Sequence, residues 1–171
     1  PKRPSESPPR VHRRRDIIAI VTDSTVGYST AEIASRGILS EVPVNYQIGQ
    51  NFYEEYASDR NGNFLPLMAG QPLCKTAQPS LNNFIATFRS LVERGCDVIC
   101  LVLSSALSGT YSSACFAAQQ VGGNIRVVDS GTIGAGMHPL ADEAVNLAKG
   151  GFGFEEIVNH LERLKRKIGI G

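Results

Sequence analysis

The chain has 171 residues, 42% of them apolar and 19% charged, the proportions of an ordinary globular protein, and a formal net charge of +1. Its apolar runs fall short of the roughly 18–20 residues a membrane span needs, and "DIIAIV" is too short for a signal-peptide core, so neither a spanning segment nor a secretory leader is expected. The four cysteines, Cys74, Cys96, Cys100 and Cys115, form no C-x-x-C pair. That pattern argues against a metal site or a disulfide framework and for reduced thiols in a cytoplasmic protein.

Charge is unevenly spread. Residues 1–15, "PKRPSESPPRVHRRR", hold six of the seventeen Lys and Arg with only Glu6 to oppose them, which leaves the remainder near −4. Four prolines and no apolar periodicity make this stretch an expected disordered tail or linker rather than part of a core. A basic arm could touch nucleic acid or acidic lipid, but the linker reading is preferred, with no nucleic-acid partner and no stable membrane insertion. Without an initiator Met, the chain reads as a piece of something longer.

From Asp16 the elements follow in order. "DIIAIVTDS" (16–24) is a continuous apolar run ending in turn residues, the mark of a buried parallel strand. Ser29 and Glu32 form a capping box for a short helix that Gly37 closes. "EVPVNYQI" (41–48) reads as a second strand, its Pro43 favouring an edge or a start. Positions 49–75 are polar and irregular, with one helical turn around Phe64–Met68, and a loop of that length is usually functional. "PSLNNFIATFRSLVERG" (79–95) is an amphipathic helix with Ser80 as N-cap and Gly95 as stop. "DVICLVLS" (97–104) is a central strand, 109–123 a small-residue helix and "NIRVVDS" (124–130) another strand. Helices over 136–149 and 154–167 complete the chain. Apolar strands alternating with helices predict an α/β fold: an open, mainly parallel sheet with helices on both faces. Ligands bind such sheets at the carboxyl ends of the strands, where "TDST", "SSALSGTYSSA" and "DSGTIGAG" all fall.

These segments admit several chemistries. A Walker loop is absent, since "LSSALSGTYS" has neither the spacing nor the lysine, and "GTIGAGMHP" places Pro139 where a dinucleotide fingerprint wants glycine. A Ser108–His138–Asp129 triad for an esterase-type hydrolase can be drawn, although the G-x-S-x-G elbow is missing. A third reading is a neutral cup for a carboxylate. Ser108, Gly109 and Thr110 stand at a strand-to-helix turn, where free amides and the helix dipole favour an anion. Hydroxyls that merely cap the helix remain the structural alternative.

"IAIVTDST", "KTAQPS" (75–80), "LSSALSGTYSSA" (103–114) and "VVDS" (127–130) resemble, in order and spacing, the amino-terminal α/β domain of the DegV family, from about Ile17 to the end of the chain. The resemblance implies a lipid-binding protein without catalysis of its own or a cofactor. It would hold a long-chain fatty acid and present the carboxyl group to a partner fatty-acid kinase, separate or fused. By position, Thr76 and Ser108 match the carboxylate-binding hydroxyls and Gly109 the backbone donor beside them. Asp23, Ser24, Asp129 and Ser130 match turns that line the pocket. Ala77 departs from the usual Ser and removes a hydroxyl. Domains are therefore expected as a tail over 1–15 and a DegV-like domain over 16–171, with the family's second, lipid-covering domain absent. A buried methylene contributes roughly 0.8 kcal/mol, so the tail sets affinity while the head group sets orientation. The polar loop over 49–75 would lie near the mouth, where Tyr53, Glu54, Glu55 and Tyr56 could contact the kinase, although an ordinary solvated loop is the preferred reading.

Overall fold

The computed structural model describes residues 17–48, 51–55, 74–75 and 81–168. The basic tail, Thr76, Ala77, the Ser80 cap, Tyr56 and the turn expected around Phe64–Met68 lie outside the described residues.

Four strands form a wholly parallel sheet: β1 (Ile18–Asp23), β2 (Leu39–Val42), β6 (Asp97–Val102) and β7 (Ile125–Asp129), in the order β2-β1-β6-β7. Side chains alternate across a strand, and here both faces are covered. Ile20, Ile99, Leu101 and Val128 share one core cluster with α4 (His138–Lys149) and α5 (Phe154–Lys167), through Leu140, Ala144, Ile157 and Leu161. Ala19, Val21, Val98, Cys100 and Val102 share the other with α2 (Leu81–Glu93) and α3 (Thr110–Val121), through Phe84, Phe88, Ala114 and Ala117. Double-sided burial is why these strands read as unbroken apolar runs. The short helix α1 (Thr30–Arg36) joins β1 to β2; the Glu32 N–H donates to Ser29 Oγ at 3.1 Å, and Gly37 ends it with φ +69°.

The expected second strand proves to be two. β2 ends at Val42, and after Pro43 the chain enters β3 (Val44–Ile48), which belongs to a separate antiparallel sheet with β4 (Asn51–Glu55) and β5 (Cys74–Lys75). Proline has no N–H for a ladder, so the parallel pairing with β1 stops where Asp23 meets Val42. β4 also shows that the segment over 49–75 is not wholly irregular, and the Tyr53, Glu54 and Glu55 backbone lies in it. The last strand and final helix match their expected places. Before α4, a 3-10 turn spans Gly134–Met137.

Candidate functional site

The carboxyl ends of β1, β6 and β7 lie side by side in register, Asp23 following Thr22, which faces Leu101, and Val102 facing Asp129. At this edge the chain repeats one device, a short polar side chain that accepts the N–H two residues further on. Asp23 accepts from Thr25 at 2.8 Å, Ser104 from Ala106 at 3.2 Å, and Ser108 from Thr110 at 3.2 Å. Asp129 accepts from Gly131 at 2.9 Å and Ser130 from Thr132 at 3.3 Å. This accounts physically for the crowding of Asp, Ser and Thr at the strand ends.

The turn between β6 and α3 is held from both sides. Asp23, wholly buried, also takes the Thr25 hydroxyl on Oδ1, and its Oδ2 accepts the Leu103 N–H at 2.7 Å. Asp129 accepts the Ser105 hydroxyl and, at 3.3 Å, the Ser105 N–H. Ser104 N–H donates to Thr132 O at 2.8 Å, and Leu107 N–H to Ser104 O at 2.9 Å. Five successive amides, Leu103 to Leu107, are thus satisfied within the protein. The next two, on Ser108 and Gly109, have no partner among the described residues.

Ser108 Oγ lies 2.8 Å from the buried Thr110 hydroxyl, and Gly109 is the N-cap of α3. Gly109 has φ −75°, and nothing stands within 4 Å of where a Cβ would be. Neither backbone strain nor internal packing requires glycine there. Hydroxyls acting as helix caps, the alternative reading, describe Ser108 in part, since it does accept the Thr110 N–H.

Electrostatics at this edge are internal. Burial pushes the Asp23 carboxyl above the usual range against three hydrogen bonds that pull it down, from the Thr25 hydroxyl, the Leu103 N–H and the Thr25 N–H. For Asp129, burial is the largest influence and acts upward. The Ser105 hydroxyl, the Gly131 and Ser105 amides and the Lys165 charge outweigh it and hold the acid below the usual range. Ser24 and Ser130 are buried, Ser24 Oγ accepting the Val44 N–H at 2.9 Å and Ser130 Oγ donating to Thr132 O at 3.1 Å. Asp23, Ser24, Asp129 and Ser130 therefore all reach the expected edge, with their polar groups engaged in its framework.

The drawn triad is not assembled. His138 Nε2 lies 2.7 Å from Val26 O and its ring stacks on Tyr28, with centroids 4.4 Å apart. Asp129 engages Ser105 and Gly131, and Ser108 engages Thr110. No hydrogen bond joins Ser108, His138 and Asp129 among the described residues. Tyr28 is also covered by the Arg36 guanidinium at 4.2 Å and donates to Asp142 at 2.6 Å, which ties His138 into a structural stack. Also among the described residues, no cluster of three or more His, Cys, Asp or Glu could hold a metal ion, and no helix is long and apolar enough to cross a membrane.

Sequence reasoning placed Thr25, Ser104 and Ser105 at strand ends without giving them a part in holding the turns there. The D-x-T spacing of Asp23 and Thr25 carried a local signal, whereas Ser105 meets Asp129 across 24 positions and carried none.

A parallel sheet covered on both faces, with backbone amides and hydroxyls gathered at its carboxyl edge, defines an α/β domain of the open-sheet kind, the edge at which such sheets generally take ligands. A family profile described as "Uncharacterised protein, DegV family" matches residues 17–170. The chain belongs to the DegV family. A DegV domain-containing protein of Staphylococcus aureus is 33% identical over 151 residues, covering 88% of this chain and 54% of that protein. Among solved structures, a DegV family protein from Thermus thermophilus, described for fatty acid binding, superposes with a TM-score of 0.75 at 30% identity, covering 87% of this chain and 53% of that one. A Thermotoga maritima protein, described as revealing a fatty acid binding function, gives a TM-score of 0.79 at 27% identity, covering 89% and 56%. The chain thus spans about half the length of the relatives it matches.

Proposed function

We propose that this chain binds a long-chain fatty acid by its carboxylate at the carboxyl edge of the parallel sheet, with Ser108 and Gly109 as donors and Thr76 joining them. One observation carries the reading. The amides of Leu103 to Leu107 are all satisfied internally, and those of Ser108 and Gly109 stand without a partner among the described residues at the positive end of α3. The fatty-acid binding described for the Thermus and Thermotoga relatives supports that choice of anion. Two amides and hydroxyls hold a carboxylate without the desolvation that a buried lysine would require.

The role is binding and presentation rather than catalysis by this chain. The exposed carboxyl group would be phosphorylated by a partner kinase, the carboxylate oxygen attacking the γ-phosphoryl group of ATP to give an acyl phosphate and ADP. The test is displacement of a fluorescent fatty acid by oleate from the delipidated full-length protein. A hydrogen bond to a charged group contributes about 1.5–3 kcal/mol, so Ser108→Ala and Thr76→Ala should each weaken binding by roughly 10- to 150-fold. Wild-type affinity in the doubly substituted protein would overturn the head-group assignment. Chromogenic ester turnover abolished by Ser108→Ala would favour the hydrolase instead.

A further inference from the structure

We infer that Asp23 and Asp129 are positioning residues, which set where Ser108 and Gly109 stand by gripping the turn that carries them. The inference rests on the carboxylate reading above and goes beyond it, because it gives the two acids a role without ligand contact.

The grip is visible bond by bond. Between the end of β6 and the start of α3 the chain must reverse while exposing no unsatisfied amide to the core. Asp23 takes the first amide of that stretch, Leu103, at 2.7 Å. Asp129 takes the third, Ser105, together with its hydroxyl. The second, Ser104, goes to Thr132 O, on the turn that Asp129 itself stabilises by accepting the Gly131 N–H at 2.9 Å. The two acids come from different strands, so the turn is anchored on both flanks of β6. Beyond Leu107 the anchors stop, and the unpartnered amides begin.

Each carboxylate is turned inward onto backbone donors. Asp23 accepts three hydrogen bonds and Asp129 accepts from both Ser105 groups and Gly131. Neither has an oxygen left idle by the turn, and a carboxylate, which only accepts hydrogen bonds when ionised, offers no donor to a second carboxylate. Their contribution to binding therefore passes through the turn, and displacement of the turn by even a fraction of an ångström lengthens the contacts made by Ser108 and Gly109.

The experiment is a double-mutant cycle in the full-length protein, with oleate displacing a fluorescent fatty acid. Asp129→Ala should weaken oleate about tenfold when Ser108 is present and only about threefold in the Ser108→Ala background, where the hydroxyl is gone and only the amides of residues 108 and 109 remain to be displaced. Asp129→Asn, which keeps one acceptor oxygen, should fall between wild type and Asp129→Ala. Amide hydrogen exchange over 103–110 should accelerate in Asp129→Ala, with exchange in α2 unchanged. Equal losses in both backgrounds would show a merely structural acid and overturn the inference. So would unchanged exchange over 103–110. If wild type itself binds no oleate, the carboxylate reading fails, while the exchange measurement still decides whether the grip exists. Should Asp129→Ala not fold, Ser105→Ala removes one donor from the same clasp and should show the same coupling at smaller size.

Discussion

Replacing Gly109 by alanine separates binding from folding more sharply than any other change at the site. The residue has φ −75°, which alanine adopts freely, and no protein atom lies within 4 Å of the added Cβ. Two small effects on stability oppose each other. Alanine is a poorer N-cap than glycine by about 0.5–1 kcal/mol, and it lowers the entropy of the unfolded chain by about 0.4–1 kcal/mol. The melting temperature should stay within about 2 °C of wild type, since 1 kcal/mol moves a domain of this size by roughly 2–4 °C. A carboxylate seated on the Gly109 N–H would meet the new methyl group. Overpacking of one methyl costs about 1–3 kcal/mol, which corresponds to a loss in oleate affinity of roughly 5- to 150-fold. Fluorescence displacement and a thermal melt on one preparation measure both quantities. Oleate affinity within about twofold of wild type would refute the placement of the head group against Gly109.

Two further outcomes follow from the same framework. Asp23→Ala strands the buried Leu103 N–H and the Thr25 N–H, at about 1–3 kcal/mol each, so the melting temperature should drop by about 5 °C or more; a change below about 2 °C would show that the clasp does not stabilise the domain. Asp142 should contribute to the acid limb of stability. Burial opposes its ionisation, but the Tyr28 hydroxyl, the Arg36 hydrogen bond and charge and His138 outweigh burial and hold it below the usual range. A carboxyl with a depressed folded pKa stabilises above its unfolded value near 4 and loses that contribution as pH falls through the folded one. Asp142→Asn should therefore melt earlier at pH 7 and lose less stability than wild type as pH falls below about 4. Parallel melting curves for the two proteins across that window would exclude Asp142 as the group responsible.

The parts of the fold legible in the sequence were those with local or periodic causes. "IAIV" and "VICLV" announced doubly buried strands because both faces are covered, and Ser29, Gly37 and Gly95 marked helix ends through their own backbone requirements. The antiparallel sheet escaped because its pairing is non-local, β3 taking β5 across some 27 residues, and because β5 is only two residues long, although Val44–Ile48 itself alternates apolar and polar. Pro43, read as marking a strand edge or start, does both, following the edge strand β2 and preceding β3; what went unread was that it splits one expected strand between two sheets. The strand-to-helix turn that carries Ser108 and Gly109 was legible from the apolar run ending in small polar residues. The pairing of Ser105 with Asp129 depends on how β6 and β7 align, which no local pattern encodes.

The five satisfied amides from Leu103 to Leu107 also bear on how such a site can change over generations. Ala106 and Leu107 lie on that turn with exposed side chains, yet the bonds that hold the turn come from backbone atoms, Ser104, Asp23 and Asp129. Mutations at 106 and 107 can therefore accumulate without disturbing the frame. If Ser108 and Gly109 hold the head group as proposed, the side chains beside them can vary while the turn that carries them stays fixed, so variety and constancy are assigned to neighbouring residues of one loop.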